Sequence, residues 1–98
     1  MVFEWDLKKD KINQKVHGIS FSTAKFVFND PVRWERFDSS HSGKEDRWQT
    51  IGLVEKVLFV VYSEQGEVIR IISARKADEN ERKVYNGERN TAGWTKAN

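Results

Sequence analysis

The stretch KVLFVVYSEQGEVIRIISARK, residues 56–76, decides the fold because a turn separates two nearly continuous apolar runs. The runs LFVVY and VIRII are short and rich in β-branched residues, which is typical of strands covered on both faces. Gln65-Gly66 between them favours a hairpin turn. The stretch therefore predicts two antiparallel strands, residues 56–63 and 67–73, at the centre of a sheet.

Elements on either side of this hairpin extend the predicted fold. Residues 32–38 and 48–54 alternate with a period of two and predict two further strands, which a polar loop connects. Residues 77–89 are strong helix formers with few apolar side chains, so they predict a final helix that docks weakly. Residues 90–98 combine turn formers with Trp94, and they form either a flexible tail or a cover for another surface.

The first thirty residues predict a short strand followed by two helices. Residues 3–5 alternate as an opening edge strand, and Asp6 is placed to cap a helix over residues 7–17. Gly18 is placed to end that helix in the left-handed conformation, and Ser20 to cap a second, shorter helix. Both helices are expected to cover one face of the sheet.

Three apolar residues give the first helix an amphipathic pattern. Ile12, Val16 and Ile19 are spaced as i, i+4 and i+7, so they are predicted to form one stripe that faces the core. The predicted fold is α+β, a small antiparallel sheet flanked by helices in the order β-α-α-β-β-β-β-α. A chain of 98 residues supports one hydrophobic core, so residues 1–98 are expected to form a single domain.

Composition argues against several kinds of function. The chain has no Cys and only two His residues, His17 and His41, so disulfides, thiolate chemistry and a His-based metal site are not expected. It contains neither a phosphate-binding Gly loop nor an apolar run of the roughly 18 residues that span a membrane. A cytoplasmic protein that uses no metal or other cofactor is expected.

The formal net charge of +2 conceals an uneven distribution along the chain. Residues 1–69 contain 10 basic and 11 acidic side chains, whereas residues 70–98 contain seven and four. The basic excess at the C-terminal end is typical of a surface that binds phosphates or an acidic protein partner. On charge alone, an ordinary solvated surface is an equally good interpretation.

Cations and carboxylates suited to phosphodiester chemistry occur at two places. They are Lys44, Glu45 and Arg47 in one loop, and Arg70, Arg75, Lys76 and Arg82 in the last strand and helix. Cleaving RNA without a metal needs a proton acceptor for the 2′-hydroxyl, cations for the phosphate and a proton donor for the leaving oxygen. Aromatic side chains such as Trp48 and Tyr62 are candidates for stacking on bases.

The chain resembles the BrnT family of type II toxins, relatives of the RelE-type ribonucleases, over residues 3–85. The resemblance rests on a series of short motifs and on their order along the chain. They are FEWD at 3–6, KVHGISF at 15–21, FNDP at 28–31, Gly43 with Glu45 and Arg47, VVY at 60–62, IRIISARKA at 69–77, and Glu81, Arg82 and Tyr85.

This resemblance implies a RelE-like fold and a ribonuclease that stops translation. It also implies a heteromeric complex with a neutralising BrnA-like antitoxin, for which a heterotetramer is one arrangement, and contact with operator DNA only through that antitoxin. The positions that match the family's polar pattern form two groups. They are Lys44, Glu45, Arg47 and Arg70 as catalytic residues, and Arg75, Lys76, Arg82 and Tyr85 as substrate-binding residues.

Roles for these residues are a hypothesis that goes beyond the motifs. Arg47 and Arg70 are expected to bind the scissile phosphate. Glu45 or Lys44 is expected to move the proton, and arginines of the second group to guide the RNA backbone. The alternative is a non-catalytic module that binds RNA or a protein. A DNA-binding regulator is disfavoured because the sequence has no helix-turn-helix spacing.

Overall fold

The computed structural model describes residues 1–43, 45–89 and 92–98 and confirms the α+β class. The strands in these residues are β1 (Val2–Glu4), β2 (Trp34–Phe37), β3 (Arg47–Val54), β4 (Lys56–Gln65), β5 (Val68–Lys76) and β6 (Thr95–Lys96). The helices are α1 (Leu7–His17), α2 (Phe21–Ala24), a 3₁₀ helix (Lys25–Asn29) and α3 (Glu79–Tyr85). No helix in this part of the chain is long and apolar enough to cross a membrane.

The described strands form one sheet in the order β1-β5-β4-β3-β2-β6. The predicted hairpin strands β4 and β5 are neighbours, and β4 lies between β3 and β5 as a central strand. One pair differs from the predicted antiparallel arrangement, because β1 runs parallel to β5. Between β1 and β5 the chain passes through α1, α2, the 3₁₀ helix and three other strands, so no tight hairpin fixes the direction of this pair.

The helix α1 turns a different side toward the sheet from the one that the sequence predicts. Ile12 and Val16 are 61% and 66% exposed, whereas Asn13 between them is only 6% exposed. Of the predicted stripe, only Ile19 packs in the core. The stripe prediction is therefore wrong for Ile12 and Val16, because hydrogen bonding of one polar residue sets the rotation of the helix.

Asn13 makes hydrogen bonds to two separate backbone segments. Its Nδ2 donates to the Ile19 and Ala74 carbonyls at 2.8 Å each, and its Oδ1 accepts from the Ala74 N–H at 3.1 Å. The pair of bonds to Ala74 resembles the bonds that a neighbouring strand would make. The strand β1 pairs only with residues 68–70 of β5. Further along the same edge of β5, the Asn13 side chain of α1 takes the place of a neighbouring strand and bonds the Ala74 backbone.

The sheet has a hydrophobic core on each face. The core beneath α1 and α2 consists of Ile19, Phe21, Ala24, Val27, Leu58, Val60, Ile71 and Ala74. The core beneath α3 consists of Trp34, Ile51, Phe59, Ala77, Val84 and Trp94. Alternate residues of β4 belong to opposite cores, which explains why this strand reads as a continuous apolar run.

The C-terminal part packs more firmly than the sequence predicts. The helix α3 is shorter than the predicted range 77–89, and Val84 is buried, so the prediction of weak docking is wrong. Trp94 is only 4% exposed and packs against Phe59, with ring centroids 6.3 Å apart. The strand β6 pairs with β2 and adds an element to the predicted order. Asn90 and Thr91 lie outside the described residues.

We expect replacement of Asn13 by Ala to destabilise the protein by about 2–4 kcal/mol, because three hydrogen bonds are lost and buried backbone groups of Ala74 lose their partners. Urea unfolding of the variant measures this loss. The matched control is Gln14→Ala on the exposed side of the same helix, which should change the free energy of unfolding by less than about 0.5 kcal/mol. Equal stability of the two variants would contradict the role given to Asn13.

Candidate active site

A row of polar residues crosses the sheet on the face that α3 covers only in part. Glu4 pairs with Arg70, Arg70 with Ser63, and Ser63 with Arg47. Asp38 continues the row, because its N–H donates to the Arg47 carbonyl at 2.8 Å. We call these five residues the arginine row. Residues opposite one another on paired strands project from the same face, so the row forms one surface.

The arginine row lies on the same face as α3 but away from it. Ser63 and Phe59 are four residues apart on β4 and therefore project from the same face, and Phe59 belongs to the core beneath α3. Ser63 itself is not covered by that helix but by its polar neighbours, since its Oγ lies 3.3 Å from Glu45 Oε2. We call this part of the sheet, which α3 does not cover, the open face.

Arg47 and Arg70 flank a small side chain. Two strand spacings separate their backbones, which is a distance of about 10 Å. Ser63 between them has a small side chain and is 1% exposed, because neighbouring polar side chains such as Glu45 cover it. Arg70 lies 3.6 Å from the Glu4 carboxylate, and both side chains are well exposed. Arg47 forms no ion pair with any residue that the structure describes, so its positive charge is available beside Ser63, the central residue of the row.

Glu45 lies beside this pair of arginines. Ser63 donates a hydrogen bond to its carboxylate at 3.3 Å, and Ser63 is the residue that pairs with both Arg47 and Arg70. Glu45 is half-buried. The structure therefore brings together three of the four predicted catalytic residues. The fourth, Lys44, lies outside the described residues.

The loop after β2 adds an imidazole that sequence reasoning missed. His41 Nδ1 lies 3.2 Å from both carboxylate oxygens of Asp38, and the His41 side chain is 68% exposed. Burial would raise the pKa of Asp38, but hydrogen bonds from Gln49, His41 and Ser40 outweigh it and hold that pKa below its usual value. Asp38 is thus a charged, buried residue that orients an accessible imidazole.

Ser42 fixes this loop against β3. Its Oγ donates to the Asp38 carbonyl at 2.7 Å and accepts from the Arg47 N–H at 3.1 Å. These bonds hold the His41 loop next to Arg47. The spacing of Asp38 and His41, with Ser residues around them in a polar loop, is the sequence signal that could have identified the pair.

Arg75 is on the same face as the arginine row but is engaged within the protein. Its guanidinium forms two bonds to the Glu81 carboxylate, at 2.8 and 2.9 Å, and lies 4.1 Å from the centroid of the Phe59 ring. The hydrogen bonds that Arg75 donates to Glu81 raise the pKa of Arg75. Glu81 also accepts from the Asp78 N–H in the capping box of α3. Arg75 therefore attaches the first turn of α3 to β5.

The other predicted substrate-binding residues are not near the arginine row. Lys76 pairs with Leu58, so its side chain projects from the opposite face, where Lys56 is close enough to lower the pKa of Lys76. Arg82 is exposed on α3 and donates to the Ala77 carbonyl at 2.8 Å.

Tyr85 binds a carboxylate at the far end of the sheet. Its hydroxyl donates to Asp30 Oδ2 at 2.6 Å, and Asp30 also accepts from the N–H groups of Val32 and Leu53. Burial and the Asp30 charge raise the pKa of Tyr85 to about 12. Leu53 and Arg47 are six residues apart on β3, which corresponds to about 20 Å along a strand. Tyr85 thus links α3 to the start of β2.

The two aromatic residues that were candidates for base stacking do not face the arginine row. Tyr62 is 3% exposed and packs edge-on against Phe28, beneath the helices of the other face. Burial raises the pKa of Tyr62 as well. Trp48 pairs with Tyr62 and so projects from that same face, where it contacts Phe37. Stacking by Tyr62 is excluded by its burial, and Trp48 is on the opposite face from Arg47.

Comparison with known protein families gives one match. The model of the family described as the ribonuclease toxin BrnT of type II toxin-antitoxin systems matches residues 5–81. This range contains every residue of the arginine row except Glu4, together with Glu45 and His41. A search among curated proteins finds no match. Within the described ranges of the chain, no group of three His, Asp or Glu side chains is arranged to hold a metal ion.

We expect the Tyr85→Phe variant to lose about 1–2 kcal/mol of stability at neutral pH, because a hydrogen bond to a charged carboxylate is removed. Asp30 has a pKa below its usual 3.8, because hydrogen bonds from Tyr85, Leu53 and Val32 outweigh the effect of its burial. Its stabilising contribution is therefore present above pH 3.8 and is lost as the pH falls through the lower folded value. The free energies of unfolding of the wild type and of Tyr85→Phe should differ at pH 7 and become more alike at acid pH.

Proposed function

The chain belongs to the BrnT family of ribonuclease toxins of type II toxin-antitoxin systems, and we propose that it cleaves RNA on the open face, at the arginine row. One observation carries this location. Arg47 and Arg70 flank the small Ser63 on a part of the sheet that α3 leaves uncovered, and Glu45 and His41 lie at the same row.

Arg47 and Arg70 bind the scissile phosphate in this proposal. Guanidinium groups bind phosphate oxygens in a bidentate manner and stay charged at any physiological pH. Arg47 has no ion-pair partner among the described residues, and Arg70 has only the exposed Glu4 at 3.6 Å. A phosphate can therefore bind both cations without breaking a buried interaction. Arg82 on the exposed side of α3 remains a proposed contact to the RNA backbone.

Glu45 and His41 carry out the two proton transfers. Glu45 removes the proton of the 2′-hydroxyl, and the 2′-oxygen then forms a bond to phosphorus. The bond from phosphorus to the 5′-oxygen breaks, and protonated His41 gives its proton to that leaving oxygen. The products are a 2′,3′-cyclic phosphate and a free 5′-hydroxyl. Arg47 and Arg70 stabilise the charge on the phosphate oxygens, so the reaction needs no metal ion.

The same proposal includes the cellular role. Cleavage of RNA in the cytoplasm stops translation, and a BrnA-like antitoxin neutralises the toxin in a heteromeric complex. Lys44 beside Glu45 stays a second candidate for the proton acceptor.

We expect Arg47→Ala and Arg70→Ala each to lower RNA cleavage at least about 100-fold and to relieve growth arrest, because each removes a charge that stabilises the transition state. The control is Lys56→Ala, which removes an exposed cation at the opposite end of β4. Assays in EDTA test the metal-free reaction at the same time. Full activity of either arginine variant would contradict the location of the site. RNA binding by the wild-type chain without cleavage would instead support a binding module.

We expect His41→Ala to lower cleavage of ordinary RNA by about 100-fold or more, which is the usual contribution of a general acid. RNA with a bridging 5′-sulfur distinguishes this role, because a thiolate leaves without needing a proton. The His41→Ala variant should therefore cleave the sulfur substrate nearly as fast as the wild type, whereas Arg47→Ala should remain slow on both substrates. An equal defect of His41→Ala on both would contradict a proton donor at this position.

A further inference from the structure

The exposed side of α1 forms an apolar groove with the adjoining part of β5. The groove has a volume of about 260 Å³, which exceeds the 150 Å³ cavity known to accept a benzene ring. Ile12 and Val16 form one wall, and Ile72 lies on the other side. The remaining lining residues are Lys9, Asn13, His17 and Ser73. We call this surface the α1 groove.

Two structural features leave this groove open. Because Asn13 is the side chain that α1 buries, Ile12 and Val16 are more than 60% exposed. The pairing of β4 and β5 shifts between Val61 and Tyr62, so Ile72 is an additional residue in β5 and has no opposite partner on β4. The aliphatic side chains of Ile12, Val16 and Ile72 therefore line the surface and are not part of either hydrophobic core.

The helix around this groove is strongly basic. Four exposed lysines, Lys8, Lys9, Lys11 and Lys15, lie on α1. None of them forms an ion pair with a residue in the described ranges of the chain. The two nearby carboxylates accept hydrogen bonds from the backbone: the exposed Asp6 accepts from the first N–H groups of the helix, and Asp10 accepts from the Phe21 N–H at 2.8 Å. Four lysines against these two carboxylates leave a net positive charge on the helix that is available to a binding partner.

We propose that the α1 groove is the docking surface for the antitoxin, which inserts a large apolar side chain between Ile12, Val16 and Ile72 and places carboxylates beside the lysines. A type II toxin of this family acts with an antitoxin, so the family match implies a protein partner for this chain. The proposal rests on family membership and is independent of where the RNA is cut.

Charge and shape favour an acidic protein segment over the other possible occupants. A second copy of this chain in a symmetric dimer would bring the same four lysines together, and like charges repel. RNA would contact the lysines, but it recognises proteins through phosphates and base stacking and gains little from aliphatic walls. An amphipathic helix or strand of the antitoxin satisfies both the apolar and the charged part of the surface.

The test uses the double variant Ile12→Glu with Val16→Glu, which gives the groove a negative charge. Both side chains are exposed, so the fold should be retained. The matched control is Leu7→Glu, because Leu7 is 71% exposed on the same helix but does not line the groove. The probe is the purified product of the reading frame adjacent to that of this chain, with binding measured in the inactive Arg47→Ala background.

We expect the double variant to bind this probe at least about 100-fold more weakly than the control, as for loss of a buried interface anchor. In otherwise wild-type chains, the double variant should remain toxic but no longer be rescued by the probe, whereas Leu7→Glu should be rescued. Rising salt should weaken binding of the control, because the lysines contribute charge.

Several results would overturn the proposal. The first two concern the probe: the chain with an unchanged groove does not bind it, or the double variant binds it as tightly as the control does. The other two concern other occupants: the double variant loses RNA binding, or it abolishes a dimer of this chain. If Arg47→Ala proved to be toxic, the proposed cleavage site would fail, but the binding measurement would still decide the role of the α1 groove.

Discussion

The hydrogen bonds between the Asn13 side chain and the Ala74 backbone are the constraint on which the rest of the structure depends. A buried amide costs free energy unless its donors and acceptor are paired, so only one rotation of α1 is acceptable. That rotation closes the edge of β5, and the additional bond to the Ile19 carbonyl fixes the turn into α2. It also leaves Ile12 and Val16 outside the core.

A second constraint determines how much of the other sheet face remains uncovered. Arg75 and Glu81 attach the first turn of α3 to β5, and Tyr85 attaches its last turn to Asp30. Held at both ends, α3 covers the end of the sheet near Phe59 and cannot extend over Ser63. The cations of the basic C-terminal end are thereby divided between two roles. Some cations hold the fold, whereas Arg70 stays available on the open face.

The periodicity of the sequence predicts most elements, because apolar runs, caps and turns act locally. The helix α1 has the predicted bounds, with Asp6 and Gly18 as its caps, and the central hairpin is in place. The side that α1 buries could not be predicted, because the partner of Asn13 is 61 residues away. The same limit applies to the site. The pairing register of β3, β4 and β5 places Arg47 and Arg70 near each other and far from Tyr85. No local sequence pattern shows this register.

The strand β5 connects the two proposed surfaces, the cleavage site on the open face and the α1 groove. Arg70 lies on the open face, and Ile72, two residues further along the strand, lines the α1 groove. Two residues of a strand span about 7 Å, so a partner anchored in the groove is within a short distance of the arginine row. An acidic segment of the antitoxin that extended from the groove along β5 would reach Arg70 before Arg47. An antitoxin anchored in the proposed α1 groove would therefore bring carboxylates close to Arg70 without binding inside the proposed cleavage site.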